Sequence, residues 1–254
     1  MLFALNGKVA VVTGAGSLRG IGRSIAIALA TQGAKVAICD INEEGLLKVA
    51  EEIKQRTSEV MTVTMSVTDG TSIREGFASV VDKWGKIDIL VNNAGITQPM
   101  TVAEMSETDF ERILDVNLKG TYLCCKAVAP YMLEKKYGRI INMSSVSAKR
   151  GGGVFGGAHY SAAKAGILGF SKAFAREVSP HGITVNSIAP GLVATDIRGG
   201  LESEEEQKRM TRDIPCRRMA LPEEVAAAVC FLASDEAGYI TGEEIDVNGG
   251  SHMD

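Results

Sequence analysis

Short apolar runs alternate along the chain with longer stretches in which apolar residues return every three or four positions. The runs Val9–Val12, Val36–Ile38, Val60–Val67, Ile87–Val91, Ile140–Met143, Ile183–Ile188 and Ile245–Val247 predict seven strands. Several are apolar at successive positions, the pattern of strands covered on both faces. Between them the periodicity predicts helices over Ile21–Gln32, Glu43–Arg56, Ser72–Trp84, Asp109–Glu134, Tyr160–Val178 and Glu223–Leu232. Ile21, Ile25, Ala28 and Leu29 share one helical face, and Gly33 stands where a helix stop is expected. This alternation predicts an α/β fold: one doubly wound domain over residues 1–254, a parallel sheet flanked by helices. No Pro- or Ser-rich linker, repeat or low-complexity block marks a boundary. Two segments break the rhythm, the glycine loop Gly151–Gly157 and the polar stretch Thr195–Arg218, whose cluster Glu202-Ser-Glu-Glu-Glu206 reads as a solvated helix face. In such folds ligands bind beyond the carboxyl ends of the strands, so these loops are candidates for function.

Composition narrows the classes. With 45% hydrophobic and 23% charged residues, the chain is expected to be an ordinary soluble protein, not a disordered, collagenous or coiled-coil one. Its 27 basic and 31 acidic residues are spread along the chain and sum to −4, which leaves no electrostatic footprint for nucleic acid. Five cysteines, an odd count without the two-residue gap of a zinc or redox pair, point to a reducing, cytoplasmic compartment. Met1–Leu5 is too short for a signal sequence, and Val225–Ala233 falls far short of the roughly 20 residues of a membrane span, so no membrane association is expected.

The first strand runs into Thr13-Gly-Ala-Gly-Ser-Leu-Arg-Gly-Ile-Gly22 and then a helix. Glycines let the backbone turn sharply and approach a pyrophosphate, while the free N–H groups of the helix start attract the phosphates. The second strand ends in Asp40, eighteen residues after Gly22, near the spacing of an acid that holds the adenosine ribose hydroxyls. Together these predict dinucleotide binding. Asp40 repels a 2′-phosphate and favours NAD; Arg19, inside the turn, is the residue that argues for NADP.

A tyrosine serving as acid or base near neutrality needs help to ionise, and a cation four residues on along a helix supplies it. Three pairs satisfy that spacing: Tyr122/Lys126, Tyr131/Lys135 and Tyr160/Lys164. The first two lie inside a long helical segment with no loop before them. Tyr160 opens a helix after the glycine loop, and Asn142-Met-Ser-Ser145 finishes a strand at the cofactor end of the sheet. A serine hydroxyl there can donate to a substrate oxygen. Ser144, Ser145 and Ser147 compete, with Ser145 preferred and Ser147 second.

The ordered set Thr13-Gly14…Gly20-Ile-Gly22, Asn92-Asn-Ala-Gly95, Asn117, Ser145, Tyr160-x3-Lys164 and Pro190-Gly-Leu-Val-Ala-Thr195 resembles the short-chain dehydrogenase/reductase family over essentially the whole chain. The resemblance implies a Rossmann-type domain with a seven-stranded parallel sheet and a homotetramer built partly from Asp109–Glu134 and Tyr160–Val178. It implies Tyr160 as general acid/base, Ser145 polarising the substrate oxygen, Lys164 holding the nicotinamide ribose and lowering the tyrosine pKa, and Asn117 holding a water that links Lys164 to solvent. It further places Gly14, Gly20, Ile21, Gly22, Val67, Asn92, Ala94, Gly95, Pro190, Gly191, Val193 and Thr195 against the cofactor. The implied chemistry is hydride transfer between a nicotinamide and a carbonyl or secondary alcohol.

The chain departs from the family pattern in three places. Five residues, Ala15–Arg19, precede the Gly-x-Gly pair where three are common; Ser66 replaces the acid often found before Val67; and Ser145 precedes Tyr160 by fifteen residues where thirteen is commoner, a spacing that Ser147 keeps. The C-terminal Phe231–Gly242 and Val247-Asn-Gly-Gly250 are similar to 3-oxoacyl-[acyl-carrier-protein] reductases and equally to polyol and sugar dehydrogenases, so the substrate is left between an acyl thioester and a small alcohol or ketone. Lys135, Lys136 and Arg139 read either as a patch for an acidic carrier or as a solvated helix end, and His159 as facing substrate or packing. A dinucleotide sensor without chemistry is the rival that the intact Ser145, Tyr160 and Lys164 oppose. His159, His181 and His252 are widely spaced and apart from any cysteine cluster, so no metal site is expected.

Overall fold

In the computed structural model, which describes residues 2–57, 59–152, 156–197 and 203–253, seven strands form one parallel sheet: β1 (Val9–Thr13), β2 (Lys35–Asp40), β3 (Val60–Thr64), β4 (Ile89–Asn92), β5 (Gly138–Met143), β6 (Ile183–Pro190) and β7 (Glu244–Val247). Their order is β3-β2-β1-β4-β5-β6-β7. The chain therefore winds one way from β1 to β3 and the other way from β4 to β7. The reversal between β1 and β4 opens a crevice at their carboxyl ends.

Helices cover both faces: α1 (Ile21–Thr31), α2 (Glu43–Lys54), α3 (Gly70–Trp84), α4 (Glu107–Leu114), α5 (Gly120–Lys135), the single turn α6 (Ser147–Arg150), α7 (Ala158–Val178), α8 (Glu204–Thr211) and α9 (Pro222–Ala233). β1 shows why both faces must be apolar. Ala10 and Val12 enter one core with Ile25 and Leu29 of α1 and Val225 and Val229 of α9. Val9 and Val11 enter the other with Phe77 of α3 and Cys124, Cys125 and Val128 of α5.

Two expectations are revised, and a third, the solvated helix face, is met. The long helix expected over Asp109–Glu134 starts earlier, and its α-helical course is interrupted by a π-helical turn at Asp115–Lys119. The third strand stops at Thr64, three residues early, because Ser66 Oγ accepts the Thr68 N–H and starts a turn. The polar stretch contains α8, capped by the Ser203 side chain at Glu206 N, with Glu204 to Glu206 in its first turn where negative charge suits the helix dipole. Residues 153–155 of the glycine loop, and Glu202 of the acidic cluster, lie outside the described residues. Among the described residues no helix is long and apolar enough to cross a membrane.

Candidate active site

Thr13, at the end of β1, ties the crevice together. Its hydroxyl accepts the main-chain N–H groups of Asn93 and Ala94, both at 3.1 Å, which fixes the end of β4 beside the turn that follows β1. Asn93 reciprocates, its amide donating to Thr13 O at 3.0 Å and Gly14 O at 2.9 Å. Gly14 has φ +67°, and a Cβ on it would lie 2.6 Å from Ala94 Cα, so only glycine fits there. A Cβ on Gly22 would lie 2.4 Å from Gly14 O, which keeps the start of α1 pressed against the turn. The α1 N-terminus has no side-chain cap. Its N–H groups are thus available to an anion.

Gly14, Gly20, Ile21, Asp40, Gly95, Asn117, Ser145, Tyr160, Lys164, Pro190, Gly191, Val193 and Thr195 line one cleft of about 1120 Å³ of open space. Asp40 sits at its β2 end, accepting N–H groups from Gly16 at 2.8 Å and Asn42 at 3.0 Å. Val67, Asn92 and Ala94 line a small space behind the cleft instead. Asn92 is buried and donates to Asn142 Oδ1 at 2.8 Å, so its amide serves the sheet. Arg19 pairs with Asp196, its Nε 3.1 Å from Oδ1. Asn93, Asp196 and Ile197 also line the cleft and were not singled out from the sequence. Asn93 belonged to a quoted motif, whereas nothing local marked the other two.

At the opposite end, β5 and α7 hold each other. Lys164 Nζ donates to Met143 O at 2.8 Å, and Ser144 Oγ donates to Lys164 O at 2.9 Å. Of the three competing serines, Ser144 and Ser145 line the cleft. Ser147 starts α6 and presents its main-chain N–H to Ser145 Oγ at 3.1 Å, while Ser145, on the cleft wall, is the hydrogen-bonding neighbour of Tyr160. Burial holds the Tyr160 phenol above its ordinary value, with the Ser145 hydrogen bond opposing. The Lys164 ammonium, bonded to Met143 O, stands 5.7 Å from the tyrosine ring centre. Burial itself draws Lys164 down to about 8.

The π turn places Asn117 in the cleft wall, fully buried. Its amide nitrogen donates to Ile96 O and Ile113 O, both at 2.9 Å, and its Oδ1 is buried with no hydrogen-bond partner. A Cβ on Gly95 would come within 2.7 Å of that oxygen and 3.5 Å of Lys164 Nζ, so glycine leaves both groups facing one space. The glycine cradle at Gly14, the bare helix start, Asp40 and the orphaned Asn117 oxygen together fit a dinucleotide.

The other expectations resolve by position. Tyr122 stacks edge-on to Phe170 under Lys126, and Tyr131 packs on a core cluster, which accounts for both decoy pairs. His159 is fully buried, its Nδ1 accepting the Tyr160 N–H, and it does not line the cleft. The carrier patch is corrected. Arg139 is 5% exposed and donates to Ser234 O and Gly138 O, and it opens β5 at the end opposite the cleft. Among the described residues no group of three or more His, Cys, Asp or Glu side chains is placed to hold a metal.

A crevice at a topological switch point, with a tyrosine, a lysine and a serine converging at one end, defines a dinucleotide-dependent oxidoreductase. The comparisons agree. The family model described as Enoyl-(Acyl carrier protein) reductase matches residues 14–252. An uncharacterized short-chain type dehydrogenase/reductase, y4mP of Sinorhizobium fredii, is 44% identical over 97% of this chain and 98% of its own. The 3-oxoacyl-[acyl-carrier-protein] reductase FabG of Escherichia coli is 43% identical over the same shares. A solved structure titled "Crystal structure of gox2181" superposes with a TM-score of 0.93 at 35% identity, covering 98% of this chain and 97% of that one. The chain belongs to the short-chain dehydrogenase/reductase family, oxidoreductases that act on C=O and CH–OH groups with a nicotinamide cofactor.

Proposed function

We propose that this chain reduces the carbonyl of a 3-oxoacyl thioester with NADH, Tyr160 delivering the proton to the substrate oxygen. The similarity to FabG supports the substrate class. The observation that carries the reading is the convergence of Tyr160, Ser145 and Lys164 in one cleft, where the phenol can donate to a carbonyl oxygen. When bound, the nicotinamide supplies the hydride. Ser145, oriented by the Ser147 N–H, releases its bond to Tyr160 and donates to the substrate oxygen, stabilising the charge that develops there. Lys164 brings positive charge to the cofactor ribose, and Asn117 Oδ1 holds a water that passes protons towards Lys164. Asp40 accepts from the adenosine ribose hydroxyls and makes NAD(H) the preferred cofactor over NADP(H).

Asp40 also favours a second reading, oxidation of a polyol or sugar with NAD, since NAD serves oxidative enzymes more naturally than biosynthetic reductases. The four-helix association of α5 and α7 with partner copies is the proposed route to a homotetramer, and five unpaired cysteines, four of them buried, suit a cytoplasmic protein. The test is a spectrophotometric screen of NADH and NADPH against acetoacetyl thioesters, and of NAD and NADP against polyols and sugars. Turnover of the thioester with NADH supports the proposal; turnover confined to polyols or sugars replaces it with the second reading.

A further inference from the structure

Arg19 is a cation of the phosphate-binding turn, and its direction is set by a residue far along the chain. Its Nε lies 3.1 Å from Asp196 Oδ1, in the segment after β6. Strand order fixes what this means. β2, which carries Asp40, neighbours β1 on one side, while β6 lies three strands away on the other. Arg19, in the turn after β1, is thus paired with a carboxylate of the segment that follows β6, on the other side of the sheet from β2.

The pairing has a reason on both sides. Asp196 Oδ1 is shielded from solvent and has no aligned hydrogen-bond donor, so the charge of Arg19 compensates it. The segment is itself anchored, with Ala194 N donating to Ala220 O at 3.0 Å and Ala220 N to Leu192 O at 2.9 Å. Asp196 is therefore a fixed charge beside a long, flexible side chain.

We propose that Asp196 is a positioning residue for cofactor choice, acting through Arg19. By holding the guanidinium on the β6 side of the cleft, it withholds that cation from a 2′-phosphate on the adenosine ribose. Discrimination against 2′-phosphorylated dinucleotides then has two sources, repulsion by Asp40 and sequestration of Arg19. The inference rests on the NAD reading above and adds a second residue to it.

Calorimetric binding of 2′,5′-ADP and of 5′-AMP to the full-length protein tests it without turnover, since the ratio of their affinities isolates the 2′-phosphate. Asp196→Asn is expected to shift that ratio about three- to tenfold towards 2′,5′-ADP, the range of one partly exposed charge pair. Arg19→Gln in the same background should cancel the shift, whereas alone it should move the ratio less than about twofold. Asp196→Ser serves as a second variant with the same expectation, and melting curves establish that each is folded. An unchanged ratio in both Asp196 variants, or a shift that survives loss of Arg19, overturns the proposal. The NAD reading is judged separately, by whether the unsubstituted protein disfavours 2′,5′-ADP.

Discussion

Lys164 is joined to Met143 by a 2.8 Å hydrogen bond from its ammonium to the main-chain carbonyl that ends β5. The lysine is thereby pinned in the cleft wall with its charge out of water, which draws its pKa down to about 8 from an ordinary 10.5. Between those two values the folded chain binds fewer protons than the unfolded one, so unfolding becomes harder as pH rises through that window. Below it, the buried charge costs stability. Lys164→Met is expected to melt at or above the wild-type temperature at neutral pH while losing turnover. That advantage should shrink as pH approaches 10.5, and melting curves across pH check it. In the wild type, kcat/KM for carbonyl reduction should be level near neutrality and fall above about pH 8, as the ammonium is lost.

Ser145 and Ser147 should separate cleanly. Ser147 contributes a main-chain N–H that any residue supplies, whereas Ser145 contributes the hydroxyl. Ser145→Ala is expected to lower kcat about 10²- to 10³-fold, the usual cost of one donor to a developing oxyanion. Ser147→Ala should stay within about threefold. Steady-state kinetics of the two variants decide the matter.

Cofactor choice is expected to follow Asp40. Asp40→Ala removes the acceptor for the ribose hydroxyls and the charge that repels a 2′-phosphate, at a cost to NADH binding of about 1.5–3 kcal/mol. The ratio of kcat/KM for NADH over NADPH should fall at least tenfold. Equal ratios in variant and wild type would place cofactor recognition elsewhere.

Beneath the site, Asn142 accepts from Asn92 Nδ2 at 2.8 Å and donates to Ser171 Oγ at 2.9 Å, and Ser187 Oγ lies 3.0 Å from the same serine. This buried chain sets α7, with Tyr160 and Lys164, on the sheet. Asn142→Ala removes two buried side-chain hydrogen bonds and is expected to cost roughly 1–3 kcal/mol of unfolding free energy. Denaturant titration reads it directly.

What the sequence revealed follows from what is local. β1 and α1 were legible because their apolar spacing matches their own periods, and the turn between them because its glycines are contiguous. The π turn at Asp115–Lys119 was not, since apolar spacing continues across it and one extra residue per turn leaves no compositional mark. α8 was legible only as a solvated helix face at its acidic start, since its buried residues amount to Thr211. Arg139 read as surface charge because its buried position depends on Ser234, far away in the chain. The Arg19–Asp196 pair was hidden for the same reason. For Ser145 and Ser147, spacing to Tyr160 pointed one way and the direction of the hydroxyl on the cleft wall the other.

The most direct test is Tyr160→Phe, assayed for oxidation of NADH by an acetoacetyl thioester alongside calorimetric binding of NADH. The account predicts that turnover falls by about 10³-fold or more while the cofactor dissociation constant changes by less than about threefold. Turnover at the wild-type rate in that variant would contradict it.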